Sequence, residues 1–127
     1  MANEYVPGVC NIGPAEVRLR KLFGWIGLIL TLAIWAALIL FHVSAVWRLT
    51  LFFPAMLAAI GYFQAAWHFC AKFGLRGVFN FGPDVGRIDT VEQAEYRRQD
   101  RNTALQIIGL SLLIATIVAA AAYFIPL

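Results

Sequence analysis

The chain has 127 residues, of which 61% are hydrophobic and only 13% are charged, and its mean hydropathy is +0.75. Ordinary soluble domains are far less apolar, so we exclude a soluble enzyme core and expect one membrane domain over residues 1–127. The net charge is +3, and two cysteines and seven acidic residues are too few for a disulfide-rich secreted scaffold and leave little material for catalysis.

The first predicted element is a cytoplasmic, amphipathic start over residues 1–21. Pro14 fits the first turn of a helix, because that position needs no backbone N–H. The basic residues Arg18, Arg20 and Lys21 follow it and would lie beside lipid headgroups. We therefore expect this segment to lead directly into a membrane span.

Three segments without any charge predict transmembrane helices, namely residues 22–43, 49–71 and 104–127. Each is long enough, since about 20 apolar residues cover a hydrocarbon core about 30 Å thick. The predicted fold class is therefore an all-α membrane protein with three transmembrane helices and a charged cytoplasmic helix that leads into the third.

The segment 72–103 is predicted to contain a cytoplasmic loop followed by that charged helix. Residues 89–93 supply overlapping capping-box signals, which predict that the helix begins near Thr90. A solvated stalk is the simplest interpretation, and a docking surface for anionic lipid or a soluble partner is the alternative. The candidate contacts for such a ligand are Arg97, Arg98 and Arg101.

Basic residues set the predicted orientation, because short cytoplasmic loops collect Lys and Arg. All but one of the 10 basic residues lie before the first span or between the second and third, and the exception is Arg48. The sequence therefore predicts a multi-pass protein of a bacterial inner membrane with a cytoplasmic N-terminus. It also predicts an outer turn at residues 44–48 and a periplasmic or extracellular C-terminus.

A near-repeat is the clearest internal pattern. Residues 8–14 (GVCNIGP) and 77–83 (GVFNFGP) agree at five of seven positions. Glycine permits positive φ, and Asn can bond to nearby backbone, so both copies predict turns beside the membrane. Three interpretations stay open: similar turns that arose because both segments end a loop beside the membrane, a weak parallel repeat, or two backbone nests that face one anionic group such as a lipid headgroup.

The histidines and cysteines predict neither a metal site nor a cofactor. His42 and His68 are expected near opposite faces of the membrane, so they cannot ligate the same haem iron, and interfacial hydrogen bonding is the favoured interpretation. Cys10 and Cys70 are candidate thiol sites on the cytoplasmic side, where a structural disulfide is not expected. With His68 they lack the paired-cysteine spacing of zinc sites.

Small residues at helical spacing occur in all three spans. Such residues let helices approach closely, either within one molecule or between molecules. Gln64 and Gln106 are expected at similar depth, where they could form a hydrogen bond between helices. The candidate packing residues are Ala33 and Ala37 in the first span, Ala55 and Ala59 in the second, and Ser111, Ala115 and Ala119 in the third.

Residues 11–80 contain a series of short motifs. They are Asn11-Ile12-Gly13, Arg18 and Arg20, a glycine-bearing first span, a short turn, Gly61, Phe69-Cys70 and Phe73-Gly74-Leu75. With these motifs the chain resembles a family of small bacterial inner-membrane hairpins of the YgaP membrane-segment type.

The chain also departs from that family. Glu16-Val17-Arg18 stands where the family has Asp-Arg, Ala71 stands where a proline is common, and the third span and the charged loop are additional. The resemblance implies a self-associating hairpin whose cytoplasmic Cys70 lies near sulfur chemistry performed by a partner. It implies no catalytic residue.

These patterns favour a non-enzymatic accessory or scaffold component of the bacterial inner membrane. We expect it to associate through its helix faces as a homo-oligomer or within a larger membrane complex, and not to bind nucleic acid. The first alternative is a thiol-handling or sulfur-handling membrane protein that uses Cys70. The second is a subunit of an oligomeric channel or transporter, whose path would be lined by Thr31, Gln64 or Ser111.

Overall fold

The computed structural model describes residues 4–126. Residues 1–3 of the predicted start and Leu127 of the predicted third span lie outside this range. Within it the chain forms an all-α fold with three helical segments that are long and apolar enough to cross a membrane. The bounds are α1 (Pro14–Leu40), a 3₁₀ helix (Ala45–Leu51), α2 (Phe52–Trp67), α3 (Ala71–Arg76), β1 (Val78–Phe79), β2 (Asp89–Thr90) and α4 (Ala94–Phe124).

Helix α1 joins the predicted amphipathic start and most of the first span into one element. Gly13 precedes it and Pro14 occupies its first turn, where the missing N–H costs no hydrogen bond. The helix ends at Leu40, and His42 follows with a left-handed backbone, φ 51°. The regular helix therefore stops three residues before the predicted end of the span at residue 43.

The second membrane segment is more irregular than the sequence suggests. It begins as the 3₁₀ helix and continues as α2, which ends at Trp67 because His68 adopts a left-handed conformation with φ 54°. The predicted span to residue 71 thus includes a chain reversal. The short helix α3 begins immediately after it.

The charged helix begins at Ala94 rather than near Thr90. Asp89 and Thr90 form β2, which pairs with β1 in antiparallel register, Val78 opposite Thr90. The amide of Val91 continues this pairing by donating to the Gly77 carbonyl at 2.8 Å. These contacts hold the backbone extended up to Gln93, so the capping-box signal is overridden. From Ala94 onward, the charged segment and the third span form one continuous helix, as predicted.

Helix α2 lies between α1 and α4 and contacts both of them, whereas α1 and α4 scarcely touch each other within the described residues. The contact between α1 and α2 is a close approach of two backbones. A Cβ added to Gly61 would lie 2.5 Å from the Gly24 nitrogen, and a Cβ on Gly27 would overlap the backbone of Ala58. Glycine at these positions is therefore a packing requirement.

The contact between α2 and α4 uses small residues and a compact apolar cluster. Ile60 and Phe63 of α2 pack against this cluster, whose buried members are Phe69 and Ala71, which follow α2, and Ala104 and Ile107 of α4. Further along the two helices the small residues of the predicted rows are also buried: Ala55, Ala59, Ser111, Ala115 and Ala119. These two rows therefore lie inside the molecule, and α1 is left at the edge of the bundle.

One arginine ties the opposite end of the bundle together. Arg48, in the 3₁₀ helix, donates to the carbonyls of Ala122 at 3.2 Å and Ile125 at 2.7 Å. Its guanidinium also lies 5.8 Å from the ring centroid of Trp35 on α1. A cation at the C-terminal end of α4 is favourable for the helix dipole, so Arg48 connects all three membrane segments. We call this the Arg48 end, and the end that carries the remaining basic residues the basic end.

Candidate functional site

The two copies of the near-repeat lie side by side at the basic end. Ile12 and Asn80 form a parallel bridge, in which Gly13 N donates to Asn80 O at 2.8 Å and Asn80 N donates to Asn11 O at 2.9 Å. The first glycine of each copy has nearly the same left-handed φ, 71° at Gly8 and 70° at Gly77. The parallel pairing and shared conformation agree with the repeat interpretation.

The asparagine of the first copy fixes the chain reversal after α2. The side chain of Asn11 is fully buried and pairs with the backbone of Cys70, donating to its carbonyl at 3.1 Å and accepting from its amide at 2.7 Å. The backbone amide of Asn11 donates to His68 O at 3.1 Å. Because a buried amide side chain needs partners for both its ends, Asn11 specifies this reversal.

The asparagine of the second copy belongs to a network centred on Glu16. The Glu16 carboxylate is buried and accepts hydrogen bonds from Asn80 Nδ2 at 3.1 Å, from Gly86 N at 2.9 Å and from the guanidinium of Arg20. Glu16 precedes the apolar part of α1. Burial alone would raise its pKa, but these hydrogen bonds and the charge of Arg20 outweigh burial and hold the pKa of Glu16 below its usual range. The carboxylate is therefore ionised and paired.

Arg20 links this carboxylate to Cys70. Its second guanidinium nitrogen donates to the Cys70 sulfur at 2.9 Å, and the guanidinium lies 5.5 Å from the ring centroid of Phe73. Cys70 itself is 1% exposed. Its sulfur is an acceptor within a closed network, whereas reactive cysteines are usually accessible to their substrates.

A second buried carboxylate holds the N-terminal segment against α4. Asp100, which precedes the apolar part of α4, accepts from the Tyr5 hydroxyl at 2.6 Å and from Gly8 N at 2.7 Å. Thr103 donates to Gly8 O at 2.6 Å, and Tyr5 stacks on Phe79. Burial raises the pKa of Asp100, and burial with the Asp100 hydrogen bond raises the pKa of Tyr5.

We call these buried groups at the basic end the polar layer. Its members are Asn11, Glu16, Arg20, Cys70, Asn80 and Asp100. Each forms a hydrogen bond within the protein, and together these bonds join α1, the chain reversal between α2 and α3, both near-repeat copies, the N-terminal segment and α4. The layer therefore locks the loops of the basic end onto the helices.

The other predicted cysteine and both histidines have structural positions. Cys10 is buried and free, its sulfur donates to Glu4 O at 3.3 Å, and burial raises the pKa of its thiol. His42 and His68 each follow a helix with positive φ, a conformation more typical of glycine or asparagine. Among residues 4–126, no three His, Cys, Asp or Glu side chains are grouped closely enough to hold a metal ion.

The predicted contacts for anionic lipid or a partner are not equivalent. Arg97 donates to the carbonyls of Val91 at 2.8 Å and Glu92 at 2.7 Å, so it anchors the loop that precedes α4. Arg98 and Arg101 are exposed. The structure therefore brings Arg97 into the fold and leaves two arginines on the surface of the basic end.

Two polar side chains in the membrane segments form hydrogen bonds to nearby backbone atoms. Thr31 donates to Gly27 O in its own helix at 2.7 Å, and Gln64 accepts from the Ala71 amide at 2.9 Å. Gln106 is exposed, so the expected hydrogen bond between Gln64 and Gln106 is replaced by a bond that caps α3. Ser111 is fully buried between helices.

A groove with a volume of about 770 Å³ lies between α1 and α4, with α2 as its floor. We call it the lateral groove. Ile114 and Val118 form the α4 wall, and Lys21 and His68 lie at its basic end. The floor consists mainly of small residues of α2, including Ala58, Ala59, Ala65 and Ala66. The lining of this groove is almost entirely apolar.

Comparison of the chain with protein-family models, curated proteins and solved structures finds no match. The interpretation of the site therefore depends on the geometry described above.

Sequence reasoning missed most of the polar layer. Arg20 was expected beside lipid headgroups, and no sequence pattern assigned a buried role to Glu16 or Asp100, although all three side chains are largely shielded from solvent. The near-repeat was the available signal, because its two asparagines are buried members of the layer. The glycines of the contact between α1 and α2 gave a second signal that the alanine rows obscured.

Proposed function

We propose that this chain is a small, non-enzymatic polytopic membrane protein that serves as an accessory or scaffold component. It associates with other transmembrane helices, in copies of itself or in a larger complex, through the outward face of α1. We place it in a bacterial inner membrane with the basic end in the cytoplasm, because basic residues are retained on that side.

The observation that carries the proposal is the unequal burial of the three membrane segments. Buried residues make up 6% of the most apolar stretch of α1, against 22% in the second segment and 28% in α4. Ala33 is exposed and Ala37 is half-buried, whereas the small-residue rows of α2 and α4 are occupied within the molecule. The α1 row is thus the most exposed of the three rows, which favours it as the contact with another helix.

The polar layer supports a structural rather than a chemical role for the basic end. A catalytic site needs groups that can reach a substrate, and Glu16, Cys70 and Asp100 are each at most 1% exposed. Their hydrogen-bonding groups are engaged with the protein itself. The burial of Cys70 likewise favours a packing role over sulfur handling.

The positions of the polar span residues favour the same proposal over a channel or transporter subunit. A path for a polar solute needs polar groups directed into it. Thr31 and Gln64 are bonded to backbone atoms, and Ser111 is sealed between helices.

Site-specific photo-cross-linking in intact membranes tests the proposed function. A photoreactive residue at Ala33 should give a discrete cross-linked species, whose mass identifies either a second copy or a different membrane protein. The matched control is Ala121, which is also exposed but lies on α4. Equal cross-linking from both positions, or none from Ala33, would contradict association through α1.

A further inference from the structure

We infer that the lateral groove binds one anionic phospholipid, whose phosphate lies beside Lys21 and whose acyl chain lies on the alanine floor. This inference is independent of the proposed function, because the groove and the outward Ala33 surface do not share residues.

The shape of the groove favours an alkyl chain. Residues of α1 and α4 form its walls and alanines of α2 form most of its floor, and the groove is open on one side rather than enclosed. Its wall from Val17 to Thr31 follows about 21 Å of α1, at about 1.5 Å per residue. That length exceeds the roughly 15 Å of one leaflet's hydrocarbon, so an acyl chain can lie against protein along its whole length.

The chemistry at the basic end of the groove favours an anionic headgroup. Lys21 is exposed, is the one charged residue among the described lining residues, and forms no ion pair within the described chain. No acidic residue lines the groove, and the nearby Glu16 is directed into the polar layer and paired with Arg20. An ammonium at the headgroup level of an apolar groove is complementary to a phosphate with an attached chain.

The remaining groups at this end have the character expected at the membrane interface. Trp25, Tyr62 and His68 also line the groove, and Trp25 follows Lys21 by about one turn of α1. Aromatic rings with one polar atom prefer the headgroup level, and an indole or phenol can donate to phosphate or ester oxygens. A transmembrane helix from another chain would cover the alanine floor but would leave the Lys21 ammonium without an anion.

Native mass spectrometry of the full chain tests the inference. The protein is purified in a mild detergent, titrated with equal amounts of phosphatidylglycerol and phosphatidylcholine, and measured for lipid retained per chain. We expect one phosphatidylglycerol in preference to phosphatidylcholine. Lys21→Ala should weaken this binding about fivefold, which corresponds to roughly 1 kcal/mol for one basic residue at the surface.

Two matched pairs of variants distinguish the groove from the general charge of the basic end. Lys72→Ala removes an exposed lysine at the same end that does not line the groove, and it should leave the single bound lipid in place. Ala66→Phe fills the floor near Lys21 and should abolish retention, whereas Ala121→Phe adds the same ring on an exposed part of α4 outside the groove. All four positions are exposed, so these variants should fold.

Three results would overturn the inference. The first is equal retention of the two lipids, and the second is equal weakening by Lys21→Ala and Lys72→Ala. The third is a dimer that Ala66→Phe dissociates, because the groove would then hold a second copy. Since Ala33 is unchanged in all these variants, a failed lipid test leaves the photo-cross-linking test of the proposed function unaffected.

Discussion

The two ends of the bundle are held together in different ways. At the basic end, two buried carboxylates, two buried asparagines and an arginine connect the N-terminal segment, α1, the reversal after α2, the second near-repeat copy and α4. At the Arg48 end, a single guanidinium joins the 3₁₀ helix to the last turn of α4 and to Trp35. At the basic end the connecting segments are long and must be held in place, whereas at the Arg48 end the connection is a short turn. The end with the longer loops therefore contains more buried, hydrogen-bonded side chains.

Both buried carboxylates, Glu16 and Asp100, lie outside the apolar parts of the helices. A buried charge is tolerated only when it is paired or hydrogen-bonded within the protein. Glu16 is paired with Arg20, and Asp100 accepts from the Tyr5 hydroxyl and from Gly8 N. Between the two ends, the helices meet through glycine, alanine and serine. We therefore expect substitutions in the polar layer, in the helix contacts and at Arg48 to destabilise the protein in different ways.

The largest expected effect is at the centre of the polar layer. Glu16→Ala removes the acceptor shared by Arg20, Asn80 and Gly86. It should lower the free energy of unfolding by about 3 kcal/mol, because buried polar partners are left unpaired. Denaturant unfolding in micelles measures this, with the exposed Glu95→Ala as a control expected within about 0.5 kcal/mol of wild type. Similar losses in both variants would show that Glu16 is not part of a closed network.

The next largest effect concerns the helix contact between the two ends. Gly61→Val should lower the free energy of unfolding by about 2 kcal/mol, because the added side chain enters the backbone of α1 at Gly24. Gly109→Ala is the matched control, since a Cβ there meets no atom within 4 Å. It should stabilise the helix by roughly 0.5–1 kcal/mol. If both substitutions had the same sign, the close approach of α1 and α2 would be refuted.

A smaller loss is expected at the Arg48 end. Arg48→Met keeps the apolar stem but removes the charged hydrogen bonds to Ala122 and Ile125, which should cost roughly 1.5 kcal/mol. Hydrogen exchange should become faster in the last turn of α4 and stay unchanged in the polar layer. Arg101→Met, at an exposed position of α4, should leave hydrogen exchange unchanged in both regions. Faster exchange throughout the molecule would mean that the two ends are not independent.

The smallest effect is a dependence on pH. Because the folded pKa of Glu16 lies below its unfolded value, ionised Glu16 stabilises the fold above the unfolded pKa, about 4.3, and this contribution disappears as the pH falls through the folded pKa. Wild type should therefore exceed Glu16→Gln by about 1 kcal/mol at pH 7, and the gap should narrow on acidification. If the difference in stability between wild type and Glu16→Gln did not change with pH, the loss of stability in the variant would be steric.

Much of the architecture could be predicted because it depends on local properties. The three spans follow from uncharged length, and the continuous helix before the third span follows from its charge pattern. The end of α2 could not be predicted, since His68 and not glycine adopts the left-handed conformation. The pairing of Glu16 with Asn80 and Gly86 joins residues 64 and 70 positions apart, and no helical or strand period encodes such contacts. The near-repeat pointed to its own two segments but not to their common partners.

The polar layer depends on the parallel pairing of the near-repeat segments, because this pairing positions both of its asparagines. Amide hydrogen exchange in micelles tests it directly, since Gly13 N and Asn80 N are the donors across the pair. The structure predicts that these two amides exchange as slowly as those in the middle of α2, and much more slowly than the amide of exposed Arg87. Exchange of Gly13 and Asn80 at the rate of Arg87 would contradict the pairing and the polar layer that depends on it.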